Sequence, residues 1–315
     1  MSITDGAANT LVGGATGTVR NTISGNLGYG VSITQAGAGT EVFGNRIGTD
    51  KTGTGNLGNQ LGGVFADTAS SIGTDNDGVN DTLEGNLIAF NVGAGVASMT
   101  AGVAVRGNRI HSNTARIDSS TGIPTNVGLG IDYNDDGVTA NGAGLQDFPV
   151  LLTVIGGGTT RAIGSLDAAP NTTYLLDVYA DNTADPSGHG EGRRYLGSGS
   201  VTTNDAGIDS FDVNVPAFTV QGEIVTITAT APDGTTSEFS AAAEVVFDEP
   251  PTIQPGNLLF TVLEETSNLG ADYGIVTTSL PEGTPIRLDG LFSNPDPTDV
   301  HTVTIDWGDG TVDVL

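Results

Sequence analysis

The sequence contains no cysteine among its 315 residues, and its single lysine is Lys51. The absence of cysteine excludes a small extracellular domain held together by disulfides. Ten basic residues stand against 37 acidic ones, which gives a formal net charge of −27. A surface this acidic repels nucleic acid phosphates and anionic lipids, so we expect no nucleic acid partner. No apolar run is long enough to cross a bilayer, so membrane insertion is not expected either.

The sequence also lacks apolar patterns of helical period, and it is rich in glycine, with 48 residues. Glycine reaches the backbone angles of tight turns, while the abundant threonine, valine and isoleucine favour strands. The composition therefore predicts an all-β fold. Residues 1–10 have neither a basic start nor an apolar core, so they are not expected to be a signal peptide.

An apolar–x–Gly–Asn phrase recurs along the first part of the chain. The four copies end at Asn26, Asn45, Asn86 and Asn108. The middle gap is about twice the others, which predicts one more, degenerate turn around Ser70, Ile72 and Asp75. A second phrase places a short alternating strand after a glycine, with Val31, Val64, Val96 and Ile131 as its first apolar residues. Two such phrases per period of about 20 residues are typical of a solenoid, in which these apolar residues point inward.

These repeats resemble the right-handed parallel β-helix of the pectin-lyase-like superfamily, over residues 1–145. The resemblance implies stacked rungs with sharp polar corners. It also implies that Asn26, Asn45, Asn86 and Asn108 stack as a structural ladder that satisfies the backbone at one corner.

Enzymes of β-helix type carry acids and bases on an outward sheet face, assembled from successive rungs. The alternation predicts two outward rows, Ser32, Phe65, Ala97 and Asp132 in one, and Ser24, Phe43, Glu84 and Arg106 in the other. Neither row contains an acid and base cluster, and Glu84 with Arg106 is interpreted as a surface salt bridge. His111, expected to be an exposed turn residue, and Asp132 are the remaining catalytic candidates. We therefore predict no catalytic site.

Two acidic loops have the alternating oxygen side chains that calcium prefers. Asp132, Asn134 and Asp136, followed by Gly137, form the first predicted calcium site. Ala143 stands where an EF-hand would have its glutamate, so the loop is not an EF-hand. Asp75, Asp77 and Asp81 form a second, less regular candidate. In each case the alternative is an ordinary Asp/Gly turn.

The repeat pattern ends near residue 145, and residues 146–248 contain about seven short alternating strands, the last over 238–245. This spacing predicts a β-sandwich of Ig-like or fibronectin-like type. The block resembles modules that follow β-helix repeats in large bacterial surface proteins. In residues 249–315, the phrase Trp307–Gly308–Asp309–Gly310–Thr311 resembles the PKD-type Ig-like domain, here expected to be truncated.

Three functional hypotheses follow from these observations. The first is a non-catalytic secreted or cell-surface scaffold or adhesion module, extracellular, with a glycan or matrix ligand. The second is a carbohydrate-active β-helix enzyme, a lyase, hydrolase or epimerase. The third is a purely structural stalk. Calcium is the only cofactor that the sequence suggests.

Overall fold

A computed structural model describes residues 1–16, 19–75, 77–117, 120–122 and 124–247, together with short strands beyond residue 251. The chain divides into two compact units, Met1–Phe247 and Asp248–Leu315. Regular structure in the described residues is almost entirely β, with one four-residue helix. The prediction of an all-β fold is confirmed.

The first part of unit 1 consists of short strands and the helix. In chain order these are β1 Ser2–Ile3, β2 Leu11–Gly13, β3 Thr22–Ile23, β4 Tyr29–Ile33, β5 Thr40–Phe43, β6 Arg46–Ile47, β7 Gly62–Ala66, β8 Ser70–Gly73, α1 Asp81–Glu84, β9 Leu87–Ala89, β10 Val96–Ser98, β11 Val103–Arg106, β12 Arg109–His111, β13 Arg116–Ile117, β14 Pro124–Asn126 and β15 Ile131–Tyr133.

These strands form three parallel sheets that the chain visits in strict rotation. Sheet A has the order β1-β4-β7-β10-β15, sheet B β11-β8-β5-β2 and sheet C β12-β9-β6-β3. Each turn of the chain therefore adds one strand to each sheet, and the hairpin β13–β14 interrupts the last turn. We refer to this β-helix-like part, residues 1–133, as the solenoid.

The inward positions follow the sequence pattern. Val31 pairs with Val64, Val64 with Val96 and Val96 with Ile131, and all four are buried. The predicted degenerate turn is β8, which pairs with β5 and β11. Stacked apolar side chains of this kind form a continuous core from turn to turn, which is how a solenoid is stabilised. The predicted stacking and its inward residues are confirmed.

The corner asparagines form two ladders instead of one. At the corner between sheets B and C, each amide donates to the next along Asn21, Asn45, Asn86 and Asn108. At the corner after sheet C, the series is Asn26, Asn59, Asn91 and Asn113. The assignment of Asn26 to the first ladder is wrong, because its Gly–Asn phrase follows a sheet C strand, whereas the other three phrases lie between a sheet B strand and the next sheet C strand.

A left-handed residue precedes most ladder asparagines. Gly25, Gly44 and Gly107 have φ values of 69°, 69° and 61°, while Phe90 and Ser112 take the same conformation with φ values of 64° and 59°. A positive φ costs a residue with a Cβ about 1–3 kcal/mol, so the fold tolerates strain at Phe90 and Ser112, which occupy successive turns of the corner after sheet C. The corner geometry, repeated at most turns, is the reason for that strain.

The second part of unit 1 is an antiparallel module. Its strands are β16 Val150–Gly156, β17 Thr160–Asp167, β18 Thr173–Asp181, β19 Arg194–Thr202, β20 Ile208–Val215, β21 Ile224–Thr230 and β22 Ala243–Phe247. They lie in the order β19-β18-β21-β22-β16-β17-β20, and only the β16–β22 pair is parallel. A separate core that includes Leu176, Val178, Phe211 and Ile227 fills this module.

The last strand of the module differs from the sequence expectation. Residues 238–245 were expected to form it, but β22 begins at Ala243. The segment before β22 instead reaches the solenoid. Thr236 donates its N–H to the Val103 carbonyl and accepts the N–H of Val105 on its hydroxyl. Thr236 therefore covers the end of sheet B, while Ser237 and Ser240 still donate their N–H groups to the β21 carbonyls of Ala229 and Ile227.

The antiparallel module also ends the other two sheets. Ile110 of β12 exchanges two backbone hydrogen bonds with Gly192, at 2.9 and 2.8 Å. Tyr133 of β15 donates its N–H to the Glu238 carboxylate at 2.9 Å. Tyr179 and Phe239 of the module belong to the solenoid core cluster. Since an unpaired strand edge and an open core are unstable in water, we describe the module as the cap of the solenoid.

In unit 2 the structure describes three antiparallel pairs. They join β23 Thr252–Ile253 to β26 Phe292–Ser293, β24 Leu259–Val262 to β25 Ile286–Asp289, and β27 Thr304–Asp306 to β28 Val312–Val314. The last pair flanks the predicted hairpin turn. The phrase from Trp307 to Thr311 itself lies outside the described residues.

Candidate functional site

An acidic loop between β8 and β9 brings four carboxylates together. One oxygen each from Asp75, Asp77, Asp81 and Glu84 lies within 4.8 Å of the others. The two exposed carboxylates organise the turn, because Asp75 accepts the N–H of Asp77 and Asp77 accepts that of Val79. Four carboxylate oxygens at this spacing are able to hold a metal ion.

Glu84 is the member of this group that the sequence did not suggest. Its residue is 4% exposed, its carboxylate accepts the N–H of Asp75 at 3.2 Å, and burial raises its pKa. The reason for its position is α1, which turns residue 84 back toward residue 75. The outward row that contained Glu84 is therefore wrong, and so is the surface salt bridge between Glu84 and Arg106. In the register of sheet B, the residue between Phe43 and Arg106 is Gly73 and not Glu84. Phe43 is itself buried.

Arg106 is instead buried against the antiparallel module. Its Nε and Nη2 donate to the two carboxylate oxygens of Asp177 at 2.9 and 2.8 Å. The side chains are 5% and 0% exposed. Tyr195 donates its hydroxyl to the same carboxylate at 3.3 Å. This pair joins sheet B to the centre of the cap.

The loop predicted as the first calcium site has a buried anchor. Asp132 is fully buried, and its carboxylate accepts the N–H groups of Asp136 and Gly137 at 3.1–3.3 Å. Asn134 and Asp136 are exposed. Burial raises the pKa of Asp132 to about 7, and the nearby Glu238 carboxylate adds to the rise. The first predicted row is confirmed in register, but two of its four members, Ala97 and Asp132, are fully buried and do not face outward to solvent.

Glu191 ends the second asparagine ladder. Its carboxylate accepts the N–H of Ser112 and both the N–H and the amide of Asn113, the last at 2.9 Å. Burial raises the pKa of Glu191 to about 7, while the three donors act in the opposite direction. At the end of sheet A, the Glu238 carboxylate likewise accepts backbone N–H groups, those of Tyr133 and Thr139. Glu191 and Glu238 both have raised pKa values, and both accept backbone N–H groups at the contact between the solenoid and its cap. We refer to this contact as the joint.

His111 is 5% exposed, so the expectation of an exposed turn residue is wrong. The cap covers it, and Phe90 lies edge-on against its ring with centroids 5.8 Å apart. Burial and the Arg193 cation lower the pKa of His111 to about 4, so the ring is neutral at pH 7. His111 ends β12 in sheet C, whereas Asp132 lies in sheet A, so the two catalytic candidates belong to different sheets.

Ser112 stands beside His111 in an arrangement that superficially suits nucleophilic catalysis. The serine Oγ lies 3.1 Å from Nδ1 of the ring. The Asp181 carboxylate, however, pairs with Arg193 at 3.0 Å, and among the described residues no carboxylate hydrogen-bonds His111. The positive φ of Ser112 is that of a ladder corner. The pair therefore lacks the orienting acid that a serine nucleophile requires.

A cleft of about 550 Å³ opens where the solenoid meets its cap. Arg109 lies on its solenoid side, Arg194 begins β19, and Arg193 directly precedes that strand. Asp81 of the acidic loop lines the same cleft. The sequence pattern gave no sign of this site, because its walls come from segments that are distant in the chain.

The chain matches no protein-family model and no curated protein sequence. The resemblance to β-helix and PKD-type proteins therefore rests on the residues quoted above. Within the described residues, no helix has both the length and the apolar character needed to span a bilayer.

Proposed function

We propose that this chain is a non-catalytic scaffold segment of a secreted or cell-surface bacterial protein. In this proposal the solenoid is a right-handed parallel β-helix of the pectin-lyase-like kind, followed by an Ig-like sandwich and a PKD-type module. The observation that carries it is the closed joint between Arg106, Glu191, Glu238 and the ends of the three sheets. A solenoid and a module joined in this way hold a fixed orientation and extend rigidly from a surface.

The joint also supports the non-catalytic part of the proposal. Buried groups with strongly shifted pKa values often mark active sites. Here Asp132, Glu191 and Glu238 each accept backbone N–H groups. His111 is enclosed by the cap. Their shifted pKa values are a consequence of burial at the joint, so they need no catalytic explanation.

The carbohydrate-active enzyme remains the principal rival, and incubation with polysaccharides separates the two. We expect no product when the protein is incubated with pectate, alginate or neutral glycans, with and without calcium, and the mixtures are analysed by chromatography. Cleavage or epimerisation that disappears in His111→Ala or Asp132→Ala would overturn the proposal. Activity that persists in both variants and stays with the protein through repurification would overturn the proposal as well, because the reaction would then depend on other residues of the chain.

Calcium binding by the acidic loop of Asp75, Asp77, Asp81 and Glu84 belongs to the same proposal. Calcium takes six to eight oxygen ligands, and this loop offers carboxylates from a short segment. Calcium at 100 times its dissociation constant is expected to stabilise the fold by about 2.7 kcal/mol. The melting temperature should then rise by several degrees.

The matched variants Asp77→Asn and Asp136→Asn identify the loop that binds. We expect the calcium-induced rise to disappear in Asp77→Asn and to remain in Asp136→Asn, as measured by differential scanning calorimetry with chelator as the blank. The reverse result would move the site to the loop of Asp132, Asn134 and Asp136. A rise that is equal in both variants and the parent would contradict binding at either loop.

A further inference from the structure

Two buried hydroxyl groups stand out at the corner where the chain passes from sheet A to sheet B. Thr40 begins β5 and Ser70 begins β8, and the two residues are 1% and 6% exposed. Within the described ranges of the chain, neither side-chain oxygen has a hydrogen-bond partner. Buried polar groups in native proteins are almost always hydrogen-bonded, so this pair of hydroxyls requires an explanation.

The register of sheet B places these hydroxyls side by side in the core. Thr40 pairs with Ser70 in the parallel ladder of β5 and β8. Side chains two residues apart in a strand lie on the same face of the sheet. Thr40 therefore points to the side of Val42, and Ser70 points to the side of Ile72. Since both Val42 and Ile72 belong to the solenoid core, the two hydroxyls lie inside the solenoid on adjacent turns.

The distance between adjacent strands prevents a direct hydrogen bond and leaves room for a bridging molecule. Neighbouring strands lie about 4.8 Å apart, whereas a bond between two hydroxyl oxygens spans about 2.8 Å. An oxygen placed at that bonding distance from both hydroxyls would join them at an angle of about 120°, which suits a water molecule. Each hydroxyl is able to donate and to accept, and a buried water requires at least two such partners.

The surroundings of the pair favour a neutral molecule over an ion. On the other side of Ser70 the next inward residue of sheet B is Val103, which is buried and apolar. Two hydroxyl groups in an apolar core cannot compensate the desolvation of a charge. A small neutral molecule that donates and accepts hydrogen bonds meets both conditions, and water is the one that reaches a protein interior freely.

We infer that the solenoid binds one water molecule in its interior, between the hydroxyl groups of Thr40 and Ser70. The water gives the second and third turns a polar connection within a core that is otherwise held by stacked apolar side chains. This inference is independent of the proposed scaffold function, because it concerns only the packing of these two turns.

Thr40→Val tests the site, because valine keeps the shape of threonine and removes only the hydroxyl. Removal of a hydroxyl that is truly unpaired in the core would stabilise the fold, whereas removal of one that binds water destabilises it. We expect the equilibrium constant for unfolding to rise about fivefold or more, as measured by urea unfolding. Thr22→Val is the control, since Thr22 is an exposed threonine of β3, and it should change that constant by less than about twofold. Unchanged or increased stability in Thr40→Val would overturn the inference.

A double variant and a direct count of bound water complete the test. If Thr40 and Ser70 share one water, the loss in Thr40→Val/Ser70→Ala should be clearly smaller than the sum of the two single losses. Oxygen-17 magnetic relaxation dispersion, which detects long-lived internal water, should show one water fewer in Thr40→Val than in the parent. Fully additive losses, or an equal number of internal waters in the two proteins, would contradict a shared water.

Discussion

Arg106→Ala is expected to lower the free energy of unfolding by about 3–5 kcal/mol, because it leaves a buried carboxylate without its partner. Asp177 is 0% exposed as a side chain, and both of its oxygens are bound by Arg106. Once the guanidinium is removed, the Tyr195 hydroxyl at 3.3 Å is the one side-chain donor that remains to that carboxylate among the described residues. Urea unfolding followed by linear extrapolation measures the loss.

The pair Arg161 and Asp212 is a natural control for this experiment. It has the same two-pronged geometry, at 2.8 and 2.7 Å, but its side chains are 43% and 54% exposed. Arg161→Ala is expected to cost less than about 1 kcal/mol. The double variant Arg106→Met/Asp177→Leu should recover most of the stability, because an apolar pair avoids the desolvation cost. Equal losses in Arg106→Ala and Arg161→Ala would contradict a role for burial at the joint.

The sequence predicts the solenoid well because each of its turns is a local event. A glycine followed by an alternating strand is enough to predict that Val31, Val64, Val96 and Ile131 point inward, without knowledge of distant segments. The degenerate turn at Ser70 could be predicted from spacing alone. The wrong prediction for Asn26 has a local cause as well, because the same Gly–Asn phrase occurs at two different corners of the solenoid.

The joint could not be predicted because its partners are distant in sequence. Arg106 and Asp177 are 71 residues apart, and Glu191 is 78 residues from Asn113. Nothing in the pattern around His111 reveals that Phe90 and the cap will enclose it. The same limit applies to the cleft, whose arginines come from β12 and from residues 193 and 194 at the beginning of β19. Reasoning from local pattern found the acidic loop of Asp75, Asp77 and Asp81, but missed Glu84.

Asn86→Ala is expected to destabilise the fold by about 3–5 kcal/mol, since each buried polar group left unpaired costs about 1–3 kcal/mol. Asn86 is 0% exposed. Its amide oxygen accepts the N–H and the side-chain amide of Asn45, and its nitrogen donates to the Val42 carbonyl and to Asn108. Alanine leaves those groups unpaired in a corner that water cannot enter.

Asn21→Ala tests the same ladder at its exposed end. Asn21 donates its N–H and its amide to Asn45, at 3.3 and 3.0 Å, and is itself exposed, so water replaces what is lost. We expect a cost below about 1 kcal/mol, close to the net value of one hydrogen bond. Hydrogen exchange gives an independent measure, because the amide N–H of Asn45 should lose protection in Asn86→Ala and keep it in Asn21→Ala. Similar losses of stability at both positions would show that the ladder contributes through its contacts in general and not through the burial of its central amides.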